Sequence, residues 1–206
     1  MAYKEYPFES SMPSHMHAVF WPVVRLLSEP LRPGARVLDA GCGNGATGAA
    51  YLELGCAVVG VDMSESGIAM ARAAHRDARF ERMGIDEGIL GRLEEPPFDL
   101  VVSTEVVEHL YDPRAYVRGC FAALKPGGRL VMTTPYHGYV KNLAIALLGK
   151  WDTHADPLWD GGHIKLWSKA TLRRLLHEAG FVNLRFRGAG RLPWLWKTMA
   201  VAADKP

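Results

Sequence analysis

The sequence predicts an α/β protein built on an open, mostly parallel, doubly wound sheet with helices on both faces. Two observations lead to this class. Over the first 135 of the 206 residues, short apolar runs typical of buried strands alternate with segments of helical length. Further along, an amphipathic helix precedes two strand-like runs, FVNLRFRG and KTMAVAAD, that can close the sheet.

Seven strands are predicted, five of them in the alternating part of the chain. FDLVVST is typical of a buried strand, and Glu-Glu-Pro-Pro bounds it on the N-terminal side. ARFERM has a weaker strand pattern. The seven runs lie at residues 35–40, 56–62, 78–83, 98–104, 129–135, 181–188 and 197–204.

The helices are predicted from their caps and from one apolar face. Ser64 is placed to cap one helix, and Asp112 caps another that has Pro113 at its first position. The segment 168–181 shows an apolar face formed by Leu172, Leu175, Leu176 and Ala179. Further helical segments are expected at residues 47–55 and 140–149.

Composition and charge limit the classes of protein to which the chain can belong. Hydrophobic residues make up 49% of the sequence, enough for one sizeable core, so a single domain over residues 1–206 is expected. Lys and Arg number 24 against 22 Asp and Glu, a balance that does not favour nucleic-acid binding. Cys42, Cys56 and Cys120 are too scattered for a disulfide framework or a zinc ribbon, and they fit a reducing compartment.

The N-terminal sequence MAYKEYPFESS lacks the basic and then apolar order of a signal peptide. No apolar run approaches the ~20 residues that a helix needs to cross a bilayer. We therefore expect a cytoplasmic protein without a transmembrane segment, as a monomer or a homodimer.

A glycine-rich loop follows the first strand, and its surroundings indicate a bound nucleoside. The loop, GCGNGATG (41–48), contains the pattern GxGxxG, which also occurs in nicotinamide and flavin proteins. Asp39 at the end of the strand would repel a pyrophosphate and stabilise a cationic ligand. Asp62, at the end of the second strand, can accept both hydroxyls of a ribose.

Four segments make the chain resemble the class I S-adenosylmethionine-dependent methyltransferases over nearly its whole length. They are VLDAGCGNG (37–45), VDMS (61–64), FDLVVSTEVVEHL (98–110) and LKPGGRLVMTTP (124–135), in the family's order. The resemblance implies a Rossmann-like fold of three layers, a sheet between two layers of helices, with an antiparallel last strand. It also implies an enzyme that uses S-adenosyl-L-methionine and releases S-adenosyl-L-homocysteine.

The resemblance implies which residues surround the cofactor. The glycines would wrap the methionine moiety, Asp62 would bind the ribose, and Asp39 would organise the loop and attract the amino group. Residues 84–86 would lie by the adenine, and Thr104 and Glu105 near the sulfonium. The full predicted set is Asp39, Gly41, Gly43, Asn44, Gly45, Asp62, Met63, Gly84, Ile85, Asp86, Thr104 and Glu105.

The segment EVVEHL (105–110) carries three ionisable groups that would share one face if it were helical: Glu105, Glu108 and His109. The branch that looks nearest, the ubiquinone-biosynthesis O-methyltransferase type, has a similar E-x-x-E-H. A related motif with one distant His holds a divalent metal in small-RNA 2′-O-methyltransferases. Here His163 is the candidate fourth ligand, and the set suits Mg²⁺, Mn²⁺ or Zn²⁺.

A metal-free interpretation of the same residues stays open. Glu105 would then be favoured by the dipole of a first helical turn, and Glu108 would be solvated. His109 would act alone as a general base or pack under the substrate, and His163 would bond only to loop backbone. His137, after the fifth strand, is a second candidate base, so the predicted catalytic residues are His109, His137 and Glu105.

Two segments are expected to border the acceptor. A helical cover lies in residues 1–30, and a lid in residues 136–167 contains an apolar helix and a cluster of Trp151, Trp159 and Trp167. The apolar lid is expected to pack in the core or at a dimer contact, with peripheral membrane contact as the alternative.

The sequence favours methyl transfer to a hydroxyl of a small, aromatic or lipid-like acceptor. N-methylation of a small molecule and metal-dependent 2′-O-methylation of RNA are the alternatives within the family. A non-catalytic adenosylmethionine-binding protein is the alternative outside enzymes.

Overall fold

A computed structural model describes residues 8, 10, 12–159 and 161–206. Residues 1–7, 9 and 11 of the predicted N-terminal cover and residue 160 of the predicted lid lie outside the described part.

The described chain forms a seven-stranded sheet. Its strands are β1 (Arg36–Ala40), β2 (Ala57–Asp62), β3 (Arg79–Arg82), β4 (Phe98–Thr104), β5 (Leu124–Pro135), β6 (Val182–Ala189) and β7 (Thr198–Asp204). Their order is β3-β2-β1-β4-β5-β7-β6. The pairs among β1 to β5 are parallel, whereas β7 runs antiparallel to both β5 and β6. The predicted mostly parallel sheet with an antiparallel last strand is confirmed.

Seven α-helices flank the sheet. They are α1 (His15–Ser28), α2 (Ala46–Leu52), α3 (Glu65–Ala74), α4 (Ile89–Leu93), α5 (Pro113–Ala123), α6 (Tyr139–Leu147) and α7 (Lys169–Glu178). Both predicted caps are present, since Ser64 Oγ accepts from Gly67 N–H at 3.0 Å and Asp112 Oδ1 accepts from Ala115 N–H at 3.0 Å. The short α4 was not predicted from the sequence.

The core has two layers because neighbouring strand residues point to opposite faces of the sheet. On one face, Val37 packs with Phe20 and Val24 of α1. On the other face, Leu38 belongs to a cluster that includes residues of α5 and α7, among them Val117 and Leu172. The three cysteines are free and buried, as predicted.

One strand boundary differs from the prediction by more than one residue. β5 begins at Leu124 rather than at residue 129. Leu124 pairs with Phe98, and the pairing then shifts so that Leu100 is opposite Arg129. The Lys-Pro-Gly-Gly turn residues are accommodated by this irregularity, and the Lys125 ammonium contacts Asp99 at 2.7 Å. The strand therefore continues through a segment whose composition is typical of a turn.

The carboxyl ends of β1, β2, β4 and β5 lie at one edge of the sheet, where open α/β sheets bind ligands. β7 starts at the same edge because Thr198 pairs with Pro135. Among the described residues, no helix has both the length and the apolar character that a membrane span requires.

Candidate active site

The glycine loop after β1 has a backbone that only glycine adopts without strain. Gly41, Gly43 and Gly45 have φ of +77°, +49° and +83°. A Cβ on Gly41 would lie 2.4 Å from Val106 Cγ2, so the loop also packs tightly against the segment after β4. The N–H groups of Gly41 and Cys42 donate to Val61 O at 2.8 and 3.0 Å.

Asp62 connects the end of β2 to this loop. Gly43 N–H donates to Asp62 Oδ2 at 2.8 Å, and Ser64 N–H donates to Oδ1 at 2.8 Å. The predicted ribose-binding residue therefore also holds the glycine loop in place.

Asp39 is completely buried at the end of β1. Neither of its carboxylate oxygens has a hydrogen-bond partner among the described residues. Burial raises the pKa of Asp39 to about 7, against a smaller opposite effect of the Gly48 backbone. A cationic ligand beside this carboxyl would favour the ionised form, as the predicted role requires.

Asn44 binds the N-terminal segment of the protein. Its Nδ2 donates to Ser10 O at 2.7 Å and to Met12 O at 3.1 Å, and Ala46 N–H donates to its Oδ1 at 3.3 Å. The Phe8 ring lies over the loop, because a Cβ on Gly43 would be 2.4 Å from it. Phe8, Ser10 and Met12 thus cover the glycine loop, while α1 packs on the face of the sheet. The cofactor contact of Asn44 stays a prediction.

The predicted adenine-side residues lie together after β3. Gly84 faces Met63, since a Cβ on it would be 3.5 Å from Met63 Sδ. Arg92 donates to Asp86 Oδ1 at 2.7 Å and to Gly84 O at 2.9 Å, and this guanidinium lowers the pKa of Asp86. Ile85 packs against the core. On the sulfonium side, Thr104 Oγ1 lies 3.3 Å from Thr47 Oγ1.

EVVEHL is not one continuous helix, so the expectation that its three ionisable groups share a helical face is wrong. Only Val107–His109 forms a turn of 3₁₀ helix. Glu105 has a left-handed φ of +55°, and its N–H donates to Thr133. The Glu108 carbonyl accepts from the N–H groups of Ile164 and Lys165, both at 3.0 Å. These long-range bonds replace those of a helix.

Three of the four predicted metal ligands nevertheless come together. Ligand atoms of Glu108, His109 and His163 all lie within 4.8 Å of one another. His109 Nδ1 is 2.8 Å from Gly161 O and 3.1 Å from Gly162 O. Because a carbonyl only accepts, Nδ1 carries the hydrogen and Nε2 keeps its lone pair. That nitrogen lies 3.9 Å from Glu108 Oε1.

The Glu108 side chain is 1% exposed, so it is not the solvated group of the metal-free interpretation. Oε2 accepts from Thr134 Oγ1 at 2.9 Å, whereas Oε1 has no hydrogen-bond partner among the described residues. Burial, and then the charge of Glu105, raise the pKa of Glu108 well above its usual range. Burial lowers the pKa of His163 to about 4, so this imidazole is neutral at pH 7.

Glu105 lies outside that group of three. Its Oε1 accepts from Thr198 Oγ1 at 2.7 Å, and burial raises the pKa of its carboxyl. Its roles as metal ligand and as catalytic residue stay predictions.

His137 is buried rather than on a surface loop, with 8% of its side chain exposed. Its Nδ1 lies 3.1 Å from Asn142 Oδ1, an acceptor, so Nδ1 donates and Nε2 keeps a lone pair. Burial lowers the pKa of His137. Lys141, one turn into α6, is buried nearby and was missed from the sequence. The sequence signal that could have identified it is its position as the single charged residue in the apolar run VKNLAIALLG.

The lid does not contain a tryptophan cluster. Trp167 is in the core, Trp151 is 42% exposed, and Trp159 packs beside His163 with ring centroids 5.3 Å apart. α6 exposes a row of apolar side chains rather than burying them in the core: Tyr139, Val140, Leu143 and Leu147, followed by Leu148. Dimer or membrane contact through this face stays a prediction.

Comparison with known proteins places this architecture in a family. A family model described as a methyltransferase domain matches residues 12–185. A ubiquinone biosynthesis O-methyltransferase of Dinoroseobacter shibae is 34% identical over 163 residues, which are 75% of this chain and 63% of the relative. Another of the same name, from Cereibacter sphaeroides, is 32% identical over 188 residues, which are 87% of this chain and 74% of the relative. The chain belongs to the S-adenosylmethionine-dependent methyltransferases, as its motifs predicted.

The solved structures agree on the fold. Magnesium protoporphyrin IX methyltransferase from Synechocystis, with bound S-adenosylhomocysteine, matches with a TM-score of 0.64 at 20% identity. The match covers 90% of this chain and 80% of that one, and the predicted Rossmann-like fold is confirmed. The chain spans less than two thirds of the Dinoroseobacter relative.

Proposed function

We propose that this protein transfers the methyl group of S-adenosylmethionine to a hydroxyl of a small, aromatic or lipid-like acceptor. The observation that carries the proposal is the convergence of Glu108, His109 and His163 after β4, beyond the same sheet edge as the glycine loop. S-adenosylmethionine supplies a methyl group already activated on a sulfonium. The residues of the chain then have to align the acceptor and take up one proton.

The cofactor half fits a ligand with a cationic amino-acid moiety. Asp39 is buried with two unpartnered oxygens, and an ammonium group would supply the donors that they lack. Asp62 and the loop glycines are positioned by short backbone hydrogen bonds, so this half is ordered before any ligand binds.

His109 is the residue that we assign to the acceptor proton. Its Nδ1–H is held by the carbonyl of Gly161, which fixes the tautomer and leaves Nε2 as the base. A hydroxyl nucleophile needs such a base, and both relatives described above carry the name O-methyltransferase. The relatives' names support oxygen over nitrogen as the acceptor atom.

As a second form of acceptor activation we propose that Glu108, His109 and His163 hold a divalent cation, in which case His109 Nε2 is a ligand of the cation and not the base. The chemistry of the cation there would be to lower the pKa of the acceptor hydroxyl. The donor set fits, because Glu108 offers a buried oxygen without a partner and His163 is neutral, the form that binds metals. The carbonyl that holds His109 Nδ1 is the outer support that metal-binding histidines usually have.

Three measurements test the proposal. Calorimetry should detect S-adenosylhomocysteine binding, and no binding at high micromolar concentration would overturn the cofactor assignment. A labelled-methyl screen over catechols and related phenols should give O-methylated product, and His109→Ala should lower kcat by about 10²- to 10⁴-fold. His177→Ala, which removes an exposed imidazole from α7, is the matched control.

Metal analysis separates the two forms of acceptor activation. We expect bound Mg²⁺, Mn²⁺ or Zn²⁺ in the purified protein, lost in His163→Ala. Full activity in chelator, with no metal bound, would eliminate the cation and leave His109 as the base.

A further inference from the structure

Lys141 is a buried ammonium in the lid with few partners. The residue is 6% exposed. Nζ donates to Lys197 O at 3.3 Å, and that carbonyl also accepts from Tyr136 N–H at 3.2 Å. An ammonium has three donors, so two of them have no hydrogen-bond partner among the described residues.

The neighbourhood of Lys141 lacks an anion that pairs with it. No carboxylate of the described chain lies within 4.0 Å of Nζ. Glu105 is near enough for the two groups to shift each other's pKa, but its carboxylate accepts from Thr198. The other ionisable groups that act on Lys141 or feel its charge are His137, His154, His163 and Arg191.

Lys141 also lies near two of the predicted catalytic residues, Glu105 and His137. Lys141 precedes Asn142, whose Oδ1 accepts from His137 Nδ1. Its Nζ donates to Lys197 O, and the next residue, Thr198, donates to Glu105. A ligand beside Glu105 and His137 would therefore meet the Lys141 donors.

We propose that the acceptor carries an acidic group, of the carboxylate class, and that Lys141 binds it. The inference rests on the proposed function, since it assigns a substrate class to the same site. An unpaired buried charge is costly, and an anionic ligand would supply the missing partner through charge-assisted hydrogen bonds. Lys141 is thus a specificity-determining residue in the acceptor pocket.

The test is equilibrium binding of matched ligands to the protein saturated with S-adenosylhomocysteine. The pairs are 3,4-dihydroxybenzoate with 3,4-dihydroxybenzyl alcohol, and 4-hydroxybenzoate with 4-hydroxybenzyl alcohol. We expect the acid of each pair to bind at least about 10-fold more tightly, and Lys141→Met to reduce this preference to below about twofold. Lys141→Arg should retain most of it. Lys150→Met, an exposed lysine of the same segment, should behave as wild type.

The pH dependence gives an independent readout. Burial, with a contribution from Arg191, lowers the pKa of Lys141 to about 8, while Glu105 acts in the opposite direction. The ammonium is therefore charged at pH 7 and neutral well above pH 8, so the preference should shrink between pH 7 and pH 10. The pKa values of His137, His154 and His163 are all lowered, so these imidazoles stay neutral over this range.

The outcomes separate the substrate class from the proposed reaction. Equal binding of acid and alcohol, no binding of either acid, or a preference that survives in Lys141→Met overturns the inference. Unchanged S-adenosylhomocysteine affinity, with a thermal midpoint that is not lowered, in Lys141→Met excludes misfolding as the cause. Acid preference without methyl transfer to any acceptor leaves the inference standing and defeats the proposed function. Methyl transfer without a preference for the acid supports the proposed function and overturns the inference.

Discussion

The two halves of the sheet's carboxyl edge are built in different ways. On the proposed cofactor half, after β1 and β2, the loop backbone and the Asp62 carboxylate satisfy one another, as in the bond from Gly43 N–H to Asp62. On the proposed acceptor half, after β4 and β5, side chains from distant segments converge, and several buried groups have donors or acceptors without a partner among the described residues. Glu108 Oε1 and Lys141 are the clearest cases.

The difference distinguishes groups whose hydrogen bonds the fold completes by itself from groups whose partners a ligand has to supply. The cofactor half, apart from Asp39, is ordered by its own hydrogen bonds. The acceptor half holds buried charge-bearing groups whose desolvation is offset only when a cation or an anion arrives. We expect mutations in the first half to act through geometry and those in the second to act through charge.

The largest effect is expected from Gly41→Ala. The new Cβ would sit 2.4 Å from Val106 at a φ of +77°, so the loop must move. The free energy of unfolding should fall by roughly 2–4 kcal/mol, and S-adenosylhomocysteine affinity should fall more than about 100-fold. Calorimetry and denaturant unfolding measure both. Gly91→Ala is the control, because it lies in α4 with no atom within 4 Å and should be slightly stabilising. Wild-type affinity in Gly41→Ala would contradict the geometric view.

Glu108→Gln tests the charge of the acceptor half. The amide keeps the shape of the side chain but removes the carboxylate that faces His109. We expect kcat to fall by about 100-fold, or about 2.7 kcal/mol in activation free energy, with unchanged S-adenosylhomocysteine affinity. Steady-state kinetics and calorimetry separate the two. Glu53→Gln, at an exposed position, is the control. A loss of S-adenosylhomocysteine affinity in Glu108→Gln would contradict the separation of cofactor binding from acceptor activation.

Asp39→Asn tests a buried carboxyl of the proposed cofactor half that has no side-chain partner among the described residues. Its pKa in the folded protein is raised to about 7, so the native state binds a proton that the unfolded state has already lost above pH 4. In wild type this makes stability fall as pH rises from about 4 to about 7. Asparagine removes that dependence, so the free energy of unfolding at pH 8 should rise by about 2 kcal/mol.

Thermal unfolding of wild type and Asp39→Asn at pH 5 and pH 8 measures the difference, with the exposed Asp77→Asn as control. A stability difference that does not grow with pH would show that Asp39 is ionised throughout. The same variant should bind S-adenosylhomocysteine about 10-fold more weakly, because the amino group loses its counter-charge.

The smallest effect is expected from Asn44→Ala. Its two N–H groups bind the carbonyls of Ser10 and Met12, so its loss should release these two residues more than it weakens cofactor binding. We expect less than about fivefold change in S-adenosylhomocysteine affinity, in line with the ~1 kcal/mol net value of such bonds, and faster proteolysis before α1. A 100-fold loss of affinity would instead place Asn44 on the cofactor.

The sequence predicts the strand ends, the glycine loop and the helix caps of the proposed cofactor half well because their signals are local. The glycine pattern, Asp39 and Asp62 lie at strand ends, and the caps at Ser64 and Asp112 depend on residues three positions away. Each of these features is encoded within a few residues, so a single sequence suffices to locate it.

The acceptor half depends on contacts that a local pattern does not contain. EVVEHL has helical spacing, yet bonds from residues 164 and 165 to the Glu108 carbonyl end the turn after three residues. His163 was identified only through a resemblance, and Lys141 was missed because its burial depends on residues more than 50 positions later, such as Lys197.

The contact from Gly161 O to His109 Nδ1 has a consequence for exchanging lids between related enzymes. A lid exchange confined to residues 139–158 would alter acceptor range while keeping the base in its tautomer. A crossover that includes residues 161–163 would replace the carbonyls that hold His109 together with His163. Acceptor range and turnover are therefore separately tunable only in chimaeras whose downstream junction falls before Gly161.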